Sequence, residues 1–271
     1  MNKVDSRCWM TASQVLAMTI SIALWAVPAQ AVPINISACG AYSANGVLVQ
    51  DVIDTSSGPS GSCISMGVGY DLDLDGYGVI CNVSTGCGTA IEVAGTGGSH
   101  VENGSIEAGT GTWAVGVSGA RFIANMSISG VSTGIYDLGQ DRVRHIDNNT
   151  IDATNWAINV HMDKSEYDIT GNIIAGENGI RIYGRADGST GRGPKVEQNQ
   201  ISIRGTGIEQ WDSTRKIRFL DNEISEASGA TAYDPCVVDS PDLYGETNVW
   251  TGNTCSPVDP DTGDAACCAL P

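Results

Sequence analysis

Asn149-Thr150-Ile151 is one copy of the short segment that decides the fold. In each copy an Asn is followed two or three residues later by an Ile, and successive isoleucines are separated by 22, 23, 23, 27 and 23 residues. The other copies are Asn103-Gly-Ser-Ile106, Asn125-Met-Ser-Ile128, Asn172-Ile-Ile174, Asn199-Gln-Ile201 and Asn222-Glu-Ile224. A repeat of this length with no helical period is typical of one coil of a parallel β-helix. Because such coils bury their inward side chains only by stacking on each other, six aligned units predict this fold.

The Asn residues of the repeat are predicted to be structural. At a tight bend an Asn amide can bond the backbone nearby and the Asn of the next coil, so we expect one hydrogen-bonded ladder. Its members would be Asn103, Asn125, Asn149, Asn172, Asn199 and Asn222. A second apolar strand begins six or seven residues after the repeat Ile, at Trp113, Ile135, Ile158, Ile180 and Ile208.

The six units resemble the repeats of the pectate-lyase-like superfamily, over residues 60 to 235. The resemblance implies an all-β protein, a right-handed parallel β-helix solenoid of about 7 to 8 coils with disulfide-tied ends. Lyases, hydrolases, adhesins and phage tail spikes share this architecture, so the resemblance implies the fold more than the chemistry.

The N-terminal segment predicts export. Lys3 and Arg7 precede an apolar stretch, and Ala29-Gln-Ala31 offers small residues for cleavage. We expect a signal peptide over 1–31, an N-terminal cap over 32–62, the β-helix over 63–235 and an irregular, disulfide-rich C-terminal cap over 236–271. The protein is therefore expected to be secreted, either extracellular or periplasmic. A weaker alternative makes Cys39 a lipid-attached residue, although Pro33 and Asn35 separate it from the apolar stretch.

Eight cysteines remain after the predicted cleavage, four near each end of the mature chain. They are Cys39, Cys63, Cys81 and Cys87, then Cys236, Cys255, Cys267 and Cys268. An even number in an exported chain, without the spacing of a zinc site, predicts disulfides. We expect each cluster to pair internally, and the sequence leaves three connectivities open in each.

Charge and composition exclude some partners. A net charge of -17 disfavours nucleic acid, and the mature chain has no apolar stretch long enough for a membrane span. We expect a monomer. Asp71-Leu-Asp73-Leu-Asp75-Gly76 matches the first half of a calcium loop, but the same residues alternate as a strand, which favours a structural role. No cofactor is assigned firmly, and calcium is the one that the sequence leaves open.

The strands that begin at the second apolar position predict a functional face. The next residue of each should point outward, giving Tyr136, Asn159, Arg181 and Glu209, followed two positions later by Leu138, His161, Tyr183 and Trp211. Aromatic faces beside polar groups hold sugar rings by stacking and by hydrogen bonds to hydroxyls. An ordinary solvated face is the alternative. Asp137 and Gln210, at nominally inward positions, indicate that two registers could be shifted locally.

A uronate-containing polysaccharide is the predicted partner. Residues 181–218 carry eight basic and four acidic side chains, and the extra residues of the longest repeat form a loop at 184–193 beside the strip. The resemblance to β-helix lyases implies β-elimination, with a cationic cluster lowering the pKa of the base. It implies Arg181 as the base, Arg185 and Lys164 as neutralisers, and His161 or Tyr183 as the proton donor. Further substrate contacts would be Tyr136, Asn159, Trp211, Arg192 and Asp163.

Whether the protein is an enzyme stays open at this point. The Arg-x-Pro-x-x-Arg segment of the lyases is absent, and hydrolysis needs two carboxyl groups where only Glu209 lies on the strip. A lyase is therefore the preferred enzyme and a glycoside hydrolase the less favoured one. The competing hypothesis is a non-catalytic carbohydrate-binding protein, adhesin or surface structural protein.

Overall fold

The protein is a parallel β-helix of about seven turns. The computed structural model describes residues 32–55, 58–95, 98–138, 143–161, 166–183, 194–211, 217–228, 234–238 and 249–256, with the side chains of 211 and 234–238 not described. All regular elements in these ranges are strands, and their pairings are parallel. Within the same ranges, no helix has the length and apolarity to cross a membrane.

The strands are short and follow one another closely. In chain order they are β1 (Ile34–Ile36), β2 (Gly40–Tyr42), β3 (Gly46–Leu48), β4 (Val52–Asp54), β5 (Ser62–Met66), β6 (Leu72–Asp73), β7 (Gly78–Cys81), β8 (Cys87–Val93), β9 (His100–Ala108), β10 (Trp113–Ser118), β11 (Phe122–Asp137), β12 (Arg144–Asp147), β13 (Thr150–His161), β14 (Tyr167–Thr170), β15 (Ile173–Tyr183), β16 (Lys195–Glu197), β17 (Gln200–Ile203), β18 (Thr206–Trp211), β19 (Arg218–Leu220), β20 (Glu223–Glu226), β21 (Asp234–Val238), β22 (Val249–Thr251) and β23 (Thr254–Ser256).

Each complete coil gives one strand to each of three parallel stacks. Stack A contains β2, β5, β8, β10, the ends of β11, β13 and β15, then β18 and β21. Stack B contains β1, β3, β6, the starts of β9 and β11, then β12, β14, β16, β19 and β22. Stack C contains β4, β7, the end of β9, the middle of β11, the starts of β13 and β15, then β17, β20 and β23.

The core lies inside the coils as columns of aliphatic side chains. Ile135, Ile158, Ile180 and Ile208 are in register in stack A and fully buried. Trp113, which the sequence analysis placed in this column, lies level with Val131 instead, and Val117 takes the position beside Ile135. Trp113 follows Ile106 by seven positions, whereas Val131 follows Ile128 by only three. The bend between stacks C and A is therefore four residues longer in the coil that contains Trp113.

Glycine precedes several of these isoleucines because neighbouring coils approach closely there. A Cβ on Gly134 would lie 2.5 Å from the carbonyl oxygen of Ala157, and one on Gly179 would lie 2.2 Å from that of Gly207. These distances are well below van der Waals contact and leave no room for a side chain. The Gly-Ile pairs of the sequence therefore mark positions in stack A where the backbones of neighbouring coils approach closely.

The Asn residues form two adjacent columns rather than the single predicted one. Asn149, Asn172, Asn199 and Asn222 are buried, and each accepts a hydrogen bond at Oδ1 from the amide of the preceding coil's residue in its column. Asn103 and Asn125 lie in the neighbouring column, with positive φ angles, because they stand three residues before their Ile instead of two. There Asn125 Nδ2 donates to Asn103 Oδ1 at 3.2 Å.

Parallel pairing extends beyond both predicted bounds of the β-helix. Strands β1 to β4, within the predicted N-terminal cap, already pair with later coils. At the other end β22 pairs with β19, β23 pairs with β20, and Asn253 continues the buried ladder by accepting from Asn222 Nδ2 at 2.8 Å. The sequence pattern does not extend to these terminal coils, because they lack the Asn-x-Ile spacing of the central ones.

The first four cysteines pair with each other, as predicted. Cys39 bonds Cys63 and Cys81 bonds Cys87, so Cys39 is not a lipid-attached residue. Cys255 also forms a disulfide. Cys267 and Cys268 lie outside the described residues, as does the side chain of Cys236, and the second-cluster prediction stays a prediction.

Candidate functional site

The outward positions of stack A form the columns that the sequence predicted. Tyr136, Asn159, Arg181 and Glu209 are neighbours on four successive coils, and His161 lies level with Tyr183. We call these six residues the strip. The register is continuous through the inward positions Asp137 and Gln210, so no local shift occurs and both polar side chains are buried. Leu138, at the edge of this face, is 56% exposed.

Arg181 is the centre of the strip. Its Nε lies 3.1 Å from Glu209 Oε2 on the next coil. Its guanidinium also lies 5.4 Å from the ring centroid of Trp156 and 5.7 Å from that of Tyr183, both within cation–π range. The Arg181 side chain is 27% exposed, so solvent weakens each of these attractions while one edge stays accessible. The arrangement holds a charged, planar donor between two aromatic rings.

Tyr183 links the aromatic part of the strip. Its ring meets His161 edge-on with centroids 4.6 Å apart. Partial burial, followed by a hydrogen bond with Tyr136, raises the pKa of Tyr183 to about 12, and Arg181 opposes the shift. Tyr183 therefore keeps its proton at neutral pH and can act as a hydrogen-bond donor.

Asn159 contributes an unsatisfied polar atom to the middle of the strip. Among the described residues, nothing donates a hydrogen bond to its buried Oδ1. Buried acceptors in proteins are normally satisfied by protein, water or a ligand. This atom is a candidate contact for a ligand hydroxyl, reached by rotation of the amide.

A buried ionic cluster lies inside the coils, between Asp137 at the end of β11 and two stack B residues, Arg144 of β12 and Tyr167 of β14. Arg144 Nε lies 2.9 Å from Asp137 Oδ2, and the Tyr167 hydroxyl donates to the same oxygen at 2.6 Å. Arg144 Nη1 also donates to the carbonyls of Gly119 and Ala120. Since Asp137 directly follows Tyr136, the cluster fixes the end of a strip strand. The one indication of the cluster in the sequence is that Asp137 occupies an inward position.

Several predicted site residues fall outside what the structure describes. Lys164, Asp163, Arg185 and Arg192 lie in the undescribed ranges 162–165 and 184–193, and only the backbone of Trp211 is described, level with Tyr183. Their predicted roles stay predictions. Trp156, which the sequence analysis did not select, contacts Arg181 because a bulge between Ala153 and Trp156 changes the alternation of β13.

The two remaining histidines lie on stack B, away from the strip. His100 and His145 stack on opposite sides of Phe122, with centroid distances of 4.2 and 4.7 Å. The aspartates of the calcium-like segment bond protein groups: Asp71 accepts from the His100 amide, and Asp73 accepts from the Asp75 amide and from Asn103 Nδ2. This favours the structural interpretation of that segment.

The sequence matches the model of a known protein family. Residues 44–240 match the family described as periplasmic copper-binding protein (NosD). The chain belongs to the NosD family. Its periplasmic description agrees with the predicted export, whereas membership in the pectate-lyase-like superfamily is not supported by the match. No curated protein and no solved structure matches this NosD-family chain.

The buried tyrosine of the ionic cluster predicts loss of stability at alkaline pH. Burial, then the charge of Asp137 and its hydrogen bond, raises the pKa of Tyr167 well above its ordinary value. In the unfolded chain Tyr ionises near pH 10. The contribution of Tyr167 is therefore complete below pH about 10 and is lost as the pH rises toward the folded pKa. Urea unfolding at several alkaline pH values should show this decline, and Tyr167→Phe should make it shallower. An equally steep decline in the variant would contradict the assignment.

Proposed function

We propose that this NosD-family protein is an exported, non-catalytic binding protein whose strip takes a uronate-containing oligosaccharide. The observation that carries the proposal is the position of Arg181 beside Trp156 and Tyr183 on the outer side of stack A, with 27% of its side chain exposed. A guanidinium can pair with a uronate carboxylate, and the half-buried ring of Tyr183 can stack on a sugar face, while the buried Trp156 holds the guanidinium in place. Asn159 Oδ1 would accept from a ligand hydroxyl, and Tyr183 would donate to one by exchanging its hydrogen bond with Tyr136 for one with the ligand.

The contacts of Arg181 favour binding over β-elimination. A lyase base has to accept a proton from the sugar ring, and it needs cationic neighbours. The described contacts of Arg181 include the carboxylate of Glu209, which is an anion, and two aromatic rings. A raised pKa also makes Tyr183 a weaker acid than an ordinary tyrosine for the predicted role of proton donor to the leaving oxygen. These surroundings suit a charge contact that orients a ligand.

Copper, named in the family description, does not fit the strip. Copper prefers thiolate, thioether and imidazole ligands. Among the described residues, Met66 and Met126 are buried in the core, and His100 and His145 are separated by Phe122. His161 contacts Tyr183. The described cysteines are all in disulfides. In the oxidised protein these residues form no copper site, and the proposed binding role does not involve the metal.

Calorimetry with oligogalacturonate, oligoalginate and a neutral glucan oligomer tests the proposal. Arg181→Ala should weaken uronate binding by about tenfold or more, since hydrogen bonds to charged groups contribute about 1.5–3 kcal/mol. Tyr183→Phe should weaken both anionic and neutral ligands, because the ring remains and the donor is lost. Arg204→Ala is the matched control: it removes the same charge from an exposed position directly after β17, away from the strip.

Two outcomes would overturn this function. The first is a failure of binding at the strip. It would be seen if the parent protein bound none of the uronate oligomers, or if Arg204→Ala lost as much affinity as Arg181→Ala. The second is a rise in ultraviolet absorbance from unsaturated product when parent and polymer are incubated, which would replace the binding role by a lyase. Thermal melts of all three variants check that the fold is retained.

A further inference from the structure

We propose that a pocket on the outer side of stack C binds a free basic amino acid of the lysine type, through Asp152, Glu177 and Arg204. The pocket has a volume of about 300 Å³ and extends over four successive coils where stack C ends. This volume suits one small molecule rather than a polymer. The pocket shares no residue with the strip, so it does not depend on the proposed oligosaccharide.

Small residues make the surface concave at this place. Asp152 is level with Ala175 and Ser202 on the next two coils, where short side chains leave space beside its carboxylate. At Gly176, which also lines the pocket, φ is +130° and a Cβ would lie 2.0 Å from the carbonyl oxygen of Ala153. The chain therefore needs glycine at this bend, and the backbone that lines the pocket lies closely against the preceding coil.

Three charged side chains line the pocket without pairing. Asp152, Glu177 and Arg204 are exposed, and the ion pairs found among the described residues involve other groups. Glu177 and Arg204 directly follow the paired residues Gly176 and Ile203, so they are neighbours on adjacent coils, which are about 4.8 Å apart. Asp152 lies on the coil before Glu177, two positions earlier along the strand. The pocket therefore offers two anions and one cation, with one net negative charge.

The order of these charges matches the charged groups of a basic amino acid. A guanidinium binds a carboxylate through two parallel hydrogen bonds, and a carboxylate pairs with an ammonium group. The α-carboxylate and the α-ammonium group are adjacent in the ligand, as Arg204 and Glu177 are adjacent in the pocket. Asp152 is then the partner of the second ammonium group, at the end of a flexible four-carbon stem. A ligand with two positive charges and one negative charge also compensates the net charge of the pocket.

Arg204 keeps its use as the control residue for the strip. Asp152 and Glu177 repel a polyanion at the pocket, so an oligouronate gains little from the guanidinium between them. Lysine binding and uronate binding are therefore separate measurements, and failure of either one leaves the other proposal standing.

The test compares lysine with three analogues, each of which lacks one charged group. Norleucine lacks the side-chain ammonium group, cadaverine lacks the carboxylate, and Nα-acetyl-lysine lacks the α-ammonium group, as does the C-terminal lysine of a peptide. Calorimetry of the parent protein at low salt should show one site for lysine and about three- to tenfold weaker binding of each analogue. Added salt should weaken lysine binding, because exposed charges are screened. Absence of lysine binding up to about 10 mM, or an analogue that binds as tightly as lysine, would overturn the proposal.

Three conservative variants then assign the contacts. Arg204→Gln should remove the preference for lysine over cadaverine, Glu177→Gln the preference over Nα-acetyl-lysine, and Asp152→Asn the preference over norleucine. Glu223→Gln is the matched control, since it removes one carboxylate from an exposed position on stack C outside the pocket, and it should retain all three preferences. Retained preferences in the pocket variants, or their loss in the control, would refute the assignment. The analogue series uses only the parent protein, so a variant that fails to fold leaves the proposal testable.

Discussion

Replacing Asp137 by Ala is expected to lower the free energy of unfolding by about 3–5 kcal/mol, the range for breaking a buried ion pair. The Asp137 carboxylate faces Arg144 Nε at 2.9 Å inside the coil, where the two side chains are 6% and 4% exposed. Removing the anion leaves a buried guanidinium whose charge is no longer compensated. The carbonyls of Gly119 and Ala120 still accept from Arg144 Nη1, which keeps the loss from being larger. Urea denaturation at neutral pH measures the change.

Two companion variants separate the charge effect from packing. Tyr167→Phe removes the hydroxyl that donates to Asp137 and should cost about 1–3 kcal/mol, since it removes one hydrogen bond to a buried carboxylate. The double variant Asp137→Leu with Arg144→Met removes both charges and should be more stable than Asp137→Ala alone. If the double variant is the less stable of the two, the uncompensated charge is not the cause.

This cluster also connects the interior to the strip. Asp137 follows Tyr136, and the Tyr167 hydroxyl lies 3.4 Å from the carbonyl oxygen of His161. The cluster thus holds the ends of two strip strands where each leaves stack A. Sequence patterning did not identify this cluster, because its members point into the coil. Alternation identified position 137 as inward, but an Asp at such a position is understood only with its partners, 7 and 30 residues later.

The repeat made most of stack A predictable. The spacing of Ile135, Ile158 and Ile180 fixed which neighbours point outward, so Tyr136, Asn159 and Arg181 could be aligned from the sequence alone. Trp156 could not be found in this way. It reaches Arg181 through a bulge that breaks the two-residue alternation. Bends vary in length from coil to coil, and their contacts depend on three-dimensional stacking that no single repeat encodes.

The ends of the solenoid were misjudged for a related reason. The Asn-x-Ile pattern marks coils whose bend carries a buried amide, and the first coils use other bends, including Asp75-Gly76 with positive φ at both residues. Asn253 belongs to the ladder but is followed by Thr254 and Cys255 instead of Ile. A sequence pattern taken from the central coils therefore does not identify the first and last coils, although their strands pair in parallel as the others do.

The buried ladder gives the other large expected effect. Asn172→Ala should lower the free energy of unfolding by about 3 kcal/mol, because several buried groups lose partners and each unsatisfied group costs about 1–3 kcal/mol. Asn172 Oδ1 accepts from both the amide and Nδ2 of Asn149, each at 3.0 Å. Asn172 Nδ2 donates to Ile146 O at 2.8 Å and to Asn199 Oδ1 at 2.9 Å.

The neighbouring column supplies the matched control for this last prediction. Asn125→Ala removes the same side chain from an exposed position, where its amide donates to Asn103 at 3.2 Å. It should cost about 1 kcal/mol, mostly because Ala is strained at the positive φ of this residue. Chemical denaturation of both variants measures the contrast. The comparison is a stringent one, because Ala at the positive φ of Asn125 adds backbone strain that Asn172→Ala does not carry. Equal midpoints for the two variants would mean that the buried amides do not hold successive coils together, and stability would then rest on the aliphatic columns alone.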